Sequence, residues 1–238
     1  MLAIALFSTL ANSQVTESRT VANFTTIEVT DAVILHFTAG AQKITINALD
    51  RNRLSNLSTK VENGTLKISC RGNISEPITV YISSNHVTAM EASKNAQIIL
   101  KNEWSSPTIS VRIASGASFK GSIKADKTIL AAKSGAIFNT RVETTQLEGS
   151  FVSGAKVNLS GSAAIADIKT DGDALYSAKN LITEVIKVTC KGISRAVVYA
   201  KKDIKAKTED TATITYFGTP VKVALGENNL SNVVYPKK

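Results

Sequence analysis

A glycine recurs at a near-constant spacing through the second half of this chain, and that spacing leaves few architectures open. Ser115-Gly116-Ala117 is followed by Ser134-Gly135-Ala136 and Ser153-Gly154-Ala155, then by Asp171-Gly172-Asp173 and Lys191-Gly192-Ile193. These glycines lie 19, 19, 18 and 20 residues apart. Asn95 stands 21 residues before Gly116, and Asp210 stands 18 after Gly192. Gly, Asn and Asp are the residues that enter the left-handed backbone region most readily. Together these positions mark one recurring tight turn.

Between the turns the apolar residues alternate. Ile109, Val111 and Ile113 precede Gly116, and Ala117, Phe119 and Ile123 follow it. Later units repeat the pattern with Ala136, Phe138 and Val142, then Leu147, Gly149 and Phe151, then Ala155, Val157 and Leu159. Alternation is the signature of a strand with one buried face. A unit of about 19 residues is too short for a strand–helix–strand crossover of roughly 30, and no helical period is visible. The unit fits one coil of a right-handed parallel β-helix, in which each coil buries its inward side chains on the next. The leucine-rich repeat has a similar period, but its leucine spacing is missing here. In the last units the phase of the alternation slips by one residue relative to the turn.

The N-terminal third reads differently. Ile27, Val29, Val33, Leu35 and Phe37 alternate, and Val61 to Ile68 is a strand–turn–strand centred on Asn63-Gly64, a strong two-residue hairpin signal. Residues 20–85 are expected to be strands that cover the first coil, residues 86–220 the coils, and residues 221–238 a cap or tail. At the very start, Leu2 to Leu10 is an uncharged apolar run followed by Ala11-Asn12-Ser13. Residues 1–13 are read as a secretory signal peptide with a partial n-region, the competing reading being a first buried strand or helix. No other apolar run is long enough to cross a bilayer as a helix.

Composition agrees with an exported all-β chain. Of its 238 residues 43% are apolar but only 5% aromatic, which suits tight stacking of small side chains. The formal net charge of +9 is spread over lysines that alternate with apolar residues. That pattern points to solvated strand faces, and no nucleic-acid partner is expected. Cys70 and Cys190 could pair in an oxidising compartment, but two buried small hydrophobes are the preferred reading.

Four motifs in order resemble the bacterial family called "putative auto-transporter adhesin, head GIN domain". They are Phe24-Thr25-Thr26-Ile27-Glu28-Val29, the hairpin Gly64-Thr65-Leu66-Lys67-Ile68, the Ser-Gly-Ala turns, and Tyr216-Phe217-Gly218-Thr219-Pro220. The resemblance runs from about residue 24 to about residue 220. It implies a right-handed parallel β-helix in an exported protein located in the periplasm, on the outer cell surface or outside the cell. It supplies no binding or catalytic residues.

Candidate chemistry is sparse. No nucleophile–base motif is present, and no cofactor or metal is expected. Two features could contact a ligand. Trp104, in a stretch read as a loop between coils, could stack on a sugar ring, or fold over the coil edge. Asp167, Asp171 and Asp173 fall in one coil and could bind Ca²⁺ or act on a sugar, although Asp171 and Asp173 flank a turn glycine where Asp is expected for backbone reasons. Three functions compete: an adhesin-like, non-catalytic binding protein for a glycan or cell-surface protein, a periplasmic scaffold, and a polysaccharide-active enzyme.

Overall fold

A computed structural model describes residues 15–72, 78–226 and 232–235 of the chain. The proposed signal peptide, residues 1–13, lies outside the described residues, as does part of the expected C-terminal cap. Of the described residues 68% are in strands and 3% in helix, and they wind into a parallel β-helix of about 7 turns with coils of about 19 residues.

The chain opens with β1 (Val15–Arg19), β2 (Thr26–Val29), β3 (Ile34–Thr38) and β4 (Lys43–Ala48). A short helix α1 (Arg51–Asn56) is capped by the Asp50 carboxylate, which accepts from the Arg53 backbone N–H. There follow β5 (Leu57–Glu62), β6 (Thr65–Cys70), β7 (Thr79–Ser83), β8 (Ala89–Ala92), β9 (Gln97–Leu100), β10 (Trp104–Ser105) and β11 (Thr108–Ala114). The long coils are β12 (Ser118–Lys133), β13 (Ile137–Val152), β14 (Lys156–Asp171), β15 (Leu175–Cys190) and β16 (Arg195–Thr208). The stack ends with β17 (Thr213–Phe217), β18 (Lys222–Leu225) and β19 (Val233–Val234).

Register follows the repeat. Phe119 pairs with Phe138 and Phe138 with Val157, each 19 residues on. The pairing skips Asp126, Thr145 and Ala164, which form a corner in successive coils. At that corner the buried parity changes, from Ile123 to Thr128 in β12 and from Val142 to Leu147 in β13. Each long coil therefore has a first and a second half, divided by the corner and closed by the turn. The core is a column of rings and small side chains. Phe119, Phe138, Phe151 and Tyr176 follow one another with centroids 5.6, 6.4 and 5.4 Å apart.

The turns explain the phase slip. Ser115–Gly116, Ser134–Gly135 and Ser153–Gly154 have positive φ at both central residues, the type I′ pattern. In the next turns only the first central residue, Gly172, Gly192 or Asp210, has positive φ, as in type II′. The Gly or Asp moves one place toward the N-terminus of the turn while the buried residue after the turn (Ala155, Ala174, Ser194, Ala212) keeps its place in the stack. Asn95 also has positive φ.

Parallel stacking begins before residue 86. β2 pairs in parallel with β6 on one side and β8 on the other, and β3 likewise with β7 and β9. The coil carried by β2 and β3 thus lies between the β6–β7 coil and the β8–β9 coil. Antiparallel strands complete this end: β4 on β7, β1 on β4, and β5 on β6 through the Asn63–Gly64 turn. Cys70 and Cys190 are buried free thiols.

Candidate binding face

The residues singled out from sequence do not converge. Trp104 is not on a loop: it lies in β10, pairs with Ile123 of β12 and is 2% exposed. Its Nε1 donates to the Val87 carbonyl at 3.0 Å, and its ring meets Phe37 edge-on at 5.8 Å. A ring so enclosed offers no face to a sugar. Its polar surroundings in sequence, Asn102-Glu103 and Ser105-Ser106, hid the anchor. Asp171 serves its turn, its Oδ1 accepting from Gly172 N at 2.6 Å. Asp173 is exposed beside the turn, next to Gly154 of the coil before. Asp167 points outward from the second half of β14 and pairs with Lys187 at 3.2 Å. Among the described residues no group of three or more His, Cys, Asp or Glu could hold a metal ion. His36 stacks on Tyr81 at 5.0 Å, and burial, then the charge of Lys101, holds its imidazole below the usual range.

The feature that sequence reading missed lies on the outer face of the second halves. There the ladder sets outward residues in columns. One column runs Lys67, Glu28, Glu91, Arg112, Ala131, Ser150, Lys169. Long charged side chains give way to a methyl and a hydroxymethyl at Ala131 and Ser150. The sheet surface sinks there into two adjoining depressions of about 330 and 510 Å³ that share Arg112, Ala131 and Ser150. Ala114, Ile129 and Val152 add apolar surface to the floor.

The rim carries both charges. Arg112 faces Glu91 at 3.9 Å, Glu148 takes Lys127 at 2.7 Å, and Asp167 takes Lys187. Lys133 and Lys169 also line it. An apolar floor with a rim of charges suits a partner with a flat apolar face and polar edges, such as a sugar ring or a strand of a surface protein. The signal for it was present in the sequence, but only after the 19-residue register aligns the columns.

Comparison with known proteins gives the family. No curated protein sequence matches the chain. Among solved structures, a "putative adhesin" from Parabacteroides merdae is 20% identical with a TM-score of 0.81, covering 90% of this chain and 94% of its own. A "putative adhesin" from Parabacteroides distasonis is 16% identical with a TM-score of 0.82, covering 91% and 95%. A "putative lipid binding protein" from the same species is 16% identical with a TM-score of 0.76, covering 90% and 95%. At these identities the likeness is one of fold. The family model described as "putative auto-transporter adhesin, head GIN domain" matches residues 23–220, and the chain belongs to that family.

Proposed function

We propose that this protein is an exported, non-catalytic binding protein of the cell envelope that acts as an adhesin, recognising a glycan or cell-surface protein with the outer face of its β-helix. The observation that carries this reading is the depression at Ala131 and Ser150, an interruption in a column of charged side chains. Export is supported by the apolar leader read at residues 1–13 and by membership of a family described as adhesins. Among the described residues no helix is long and apolar enough to cross a membrane.

One observation favours an enzyme instead. Glu148 and Asp167 are ladder neighbours on this face, and hydrolysis of a glycan uses two carboxylates close together. Each is held by its own lysine, however, and both stand on the same wall of the depression rather than on either side of a bound chain.

The test is a glycan array with the chain from Gln14 onward, at low and at physiological salt, beside the Ala131→Gln, Ser150→Gln double variant. Both positions point outward, so the substitutions fill the depression and spare the core. Binding that survives physiological salt and falls at least tenfold in the variant is the expected result. Release of new reducing ends would establish the enzyme. Binding unchanged in the variant would remove the depression from the account, and no binding at either salt would leave the scaffold reading in front.

A further inference from the structure

A second outward face, on the first halves of the coils, carries a groove of different chemistry. It measures about 320 Å³ and lies across β13, β14 and β15. Its walls are amides and hydroxyls: Asn139, Asn158, Ser160, Ser177 and Asn180. Two cations line it, Arg141 and Lys179, and among the described residues no carboxylate does.

The groove exists because one coil is too long. In β14 two steps separate Asn158 from Ser160, but their partners in β15, Ser177 and Asn180, are three apart. On the other side of β15 the pairing jumps from Ser177–Val197 to Ile182–Tyr199, so residues 178–181 face the single Val198. A bulge of this kind re-aims side chains, and bulges concentrate beside functional sites. Its effect here is to expose Lys179 and Asn180 consecutively, where β13 alternates out and in from Asn139 to Val142. The trace in the sequence is the 20-residue interval between Gly172 and Gly192.

The two cations are positioned without being fully neutralised. Lys179 Nζ sits over the Phe217 ring, 4.2 Å from its centroid, a contact that orients an ammonium while leaving its charge intact. Arg141 gives Nη2 to Glu143 at 2.8 Å, which fixes the guanidinium. A guanidinium has five donors in a planar fork, so one ion pair leaves others free for an oxyanion. Between the cations, Asn158 donates to Asn139 Oδ1 at 3.0 Å, setting one amide of the floor. An amide and hydroxyl floor matches a ring of sugar hydroxyls, and the two cations match one negative charge on that ring.

The geometry points to a binding site for an acidic sugar residue, a hydroxyl-bearing ring with one carboxylate or sulfate. The site is independent of the depression at Ala131 and Ser150, and its test leaves that depression untouched.

Isothermal titration at physiological salt would use a galacturonic acid trimer, its neutral methyl ester, and a sulfated oligosaccharide of equal length. The chain from Gln14 would be compared with the Arg141→Gln, Lys179→Gln variant and with Lys205→Gln, Lys222→Gln, which removes the same charge away from both sites. An acidic trimer should bind, the ester should not, the first variant should weaken binding at least tenfold, and the second should change it less than twofold. Preference between the carboxylated and sulfated trimers identifies the anion. Equal losses in the two variants would reduce the effect to net charge and overturn the site, as would absence of binding by both acidic oligosaccharides. Unchanged circular dichroism and Tm in both variants serve as the folding control.

Discussion

Replacing Tyr176 by Phe should stabilise this protein, against the usual sign for losing a tyrosine hydroxyl. The ring is 1% exposed and stacks on Phe151 at 5.4 Å with planes 14° apart. Its hydroxyl is buried and has no hydrogen-bond partner among the described residues. In the unfolded chain that hydroxyl is hydrated, so folding strips it of water without replacement. An unsatisfied buried polar group costs about 1–3 kcal/mol. The Tyr176→Phe change removes that cost and leaves a space of roughly 10 Å³, worth about 0.2 kcal/mol at ~24 cal/mol per Å³. The balance is about 1–3 kcal/mol of added stability, or a Tm rise of roughly 2–11 °C for a chain of this size. Urea unfolding followed by circular dichroism measures it. There is also a pH signature. Burial pushes the Tyr176 phenol far above its ordinary value. A phenol that ionises only in the unfolded chain favours unfolding as pH rises past about 10. Stability of the wild type should therefore be lost there, and the advantage of Tyr176→Phe should grow by about 1.4 kcal/mol per pH unit. A variant that is less stable at pH 7 by 1 kcal/mol or more would refute the reasoning, since it would mean that the hydroxyl is bonded.

Two glycines with left-handed φ should respond very differently to alanine. A Cβ on Gly161 would sit 2.2 Å from the Val142 carbonyl oxygen, whereas a Cβ on Gly135 meets nothing within 4 Å. Gly135→Ala should cost about 1–2 kcal/mol, the backbone term alone, and Gly161→Ala clearly more in the same urea titration. Equal costs would show that the coil contact at Gly161 yields freely. Both thiols should resist alkylation in the native state at pH 8: burial pushes the Cys190 thiol up to about 11 and raises Cys70 as well. Mass spectrometry after iodoacetamide should find both unmodified until urea is added, and rapid labelling of Cys190 without urea would contradict the core assignment.

The inward half of this molecule was legible because burial imposes a period. Phe119 and Val157 stand between polar neighbours in sequence and are each 1% exposed. The turns were legible because positive φ restricts the residue type, and Asn95 and Asp210 stand in the row of glycines for that reason. Stacking order was not legible. The coil of β6 and β7 precedes in space the coil of β2 and β3, which precedes it in sequence, and no local pattern encodes such an exchange. Trp104 was misplaced because a single buried ring between polar residues has no period to reveal it. The 18-residue interval from Gly154 to Gly172 and the 20-residue interval that follows look alike as irregularities. The first is only a change of turn type, while the second is an inserted residue that builds a groove.

That last distinction bears on where function can reside in such a fold. Coils hold one another through inward side chains and the backbone ladder, so outward positions are nearly free of folding constraints. A wall that presents the same outward side chains at every rung selects nothing. Selectivity needs a break in the period, and the stack tolerates two inexpensive kinds. One removes side-chain bulk at outward positions, as at Ala131 and Ser150, and leaves the backbone untouched. The other adds backbone, as at residues 178–181, and is accommodated by a bulge in the first half of β15. Both breaks fall in the middle coils, where neighbours on each side hold the register. A function that depends on shape is therefore expected at these two irregularities.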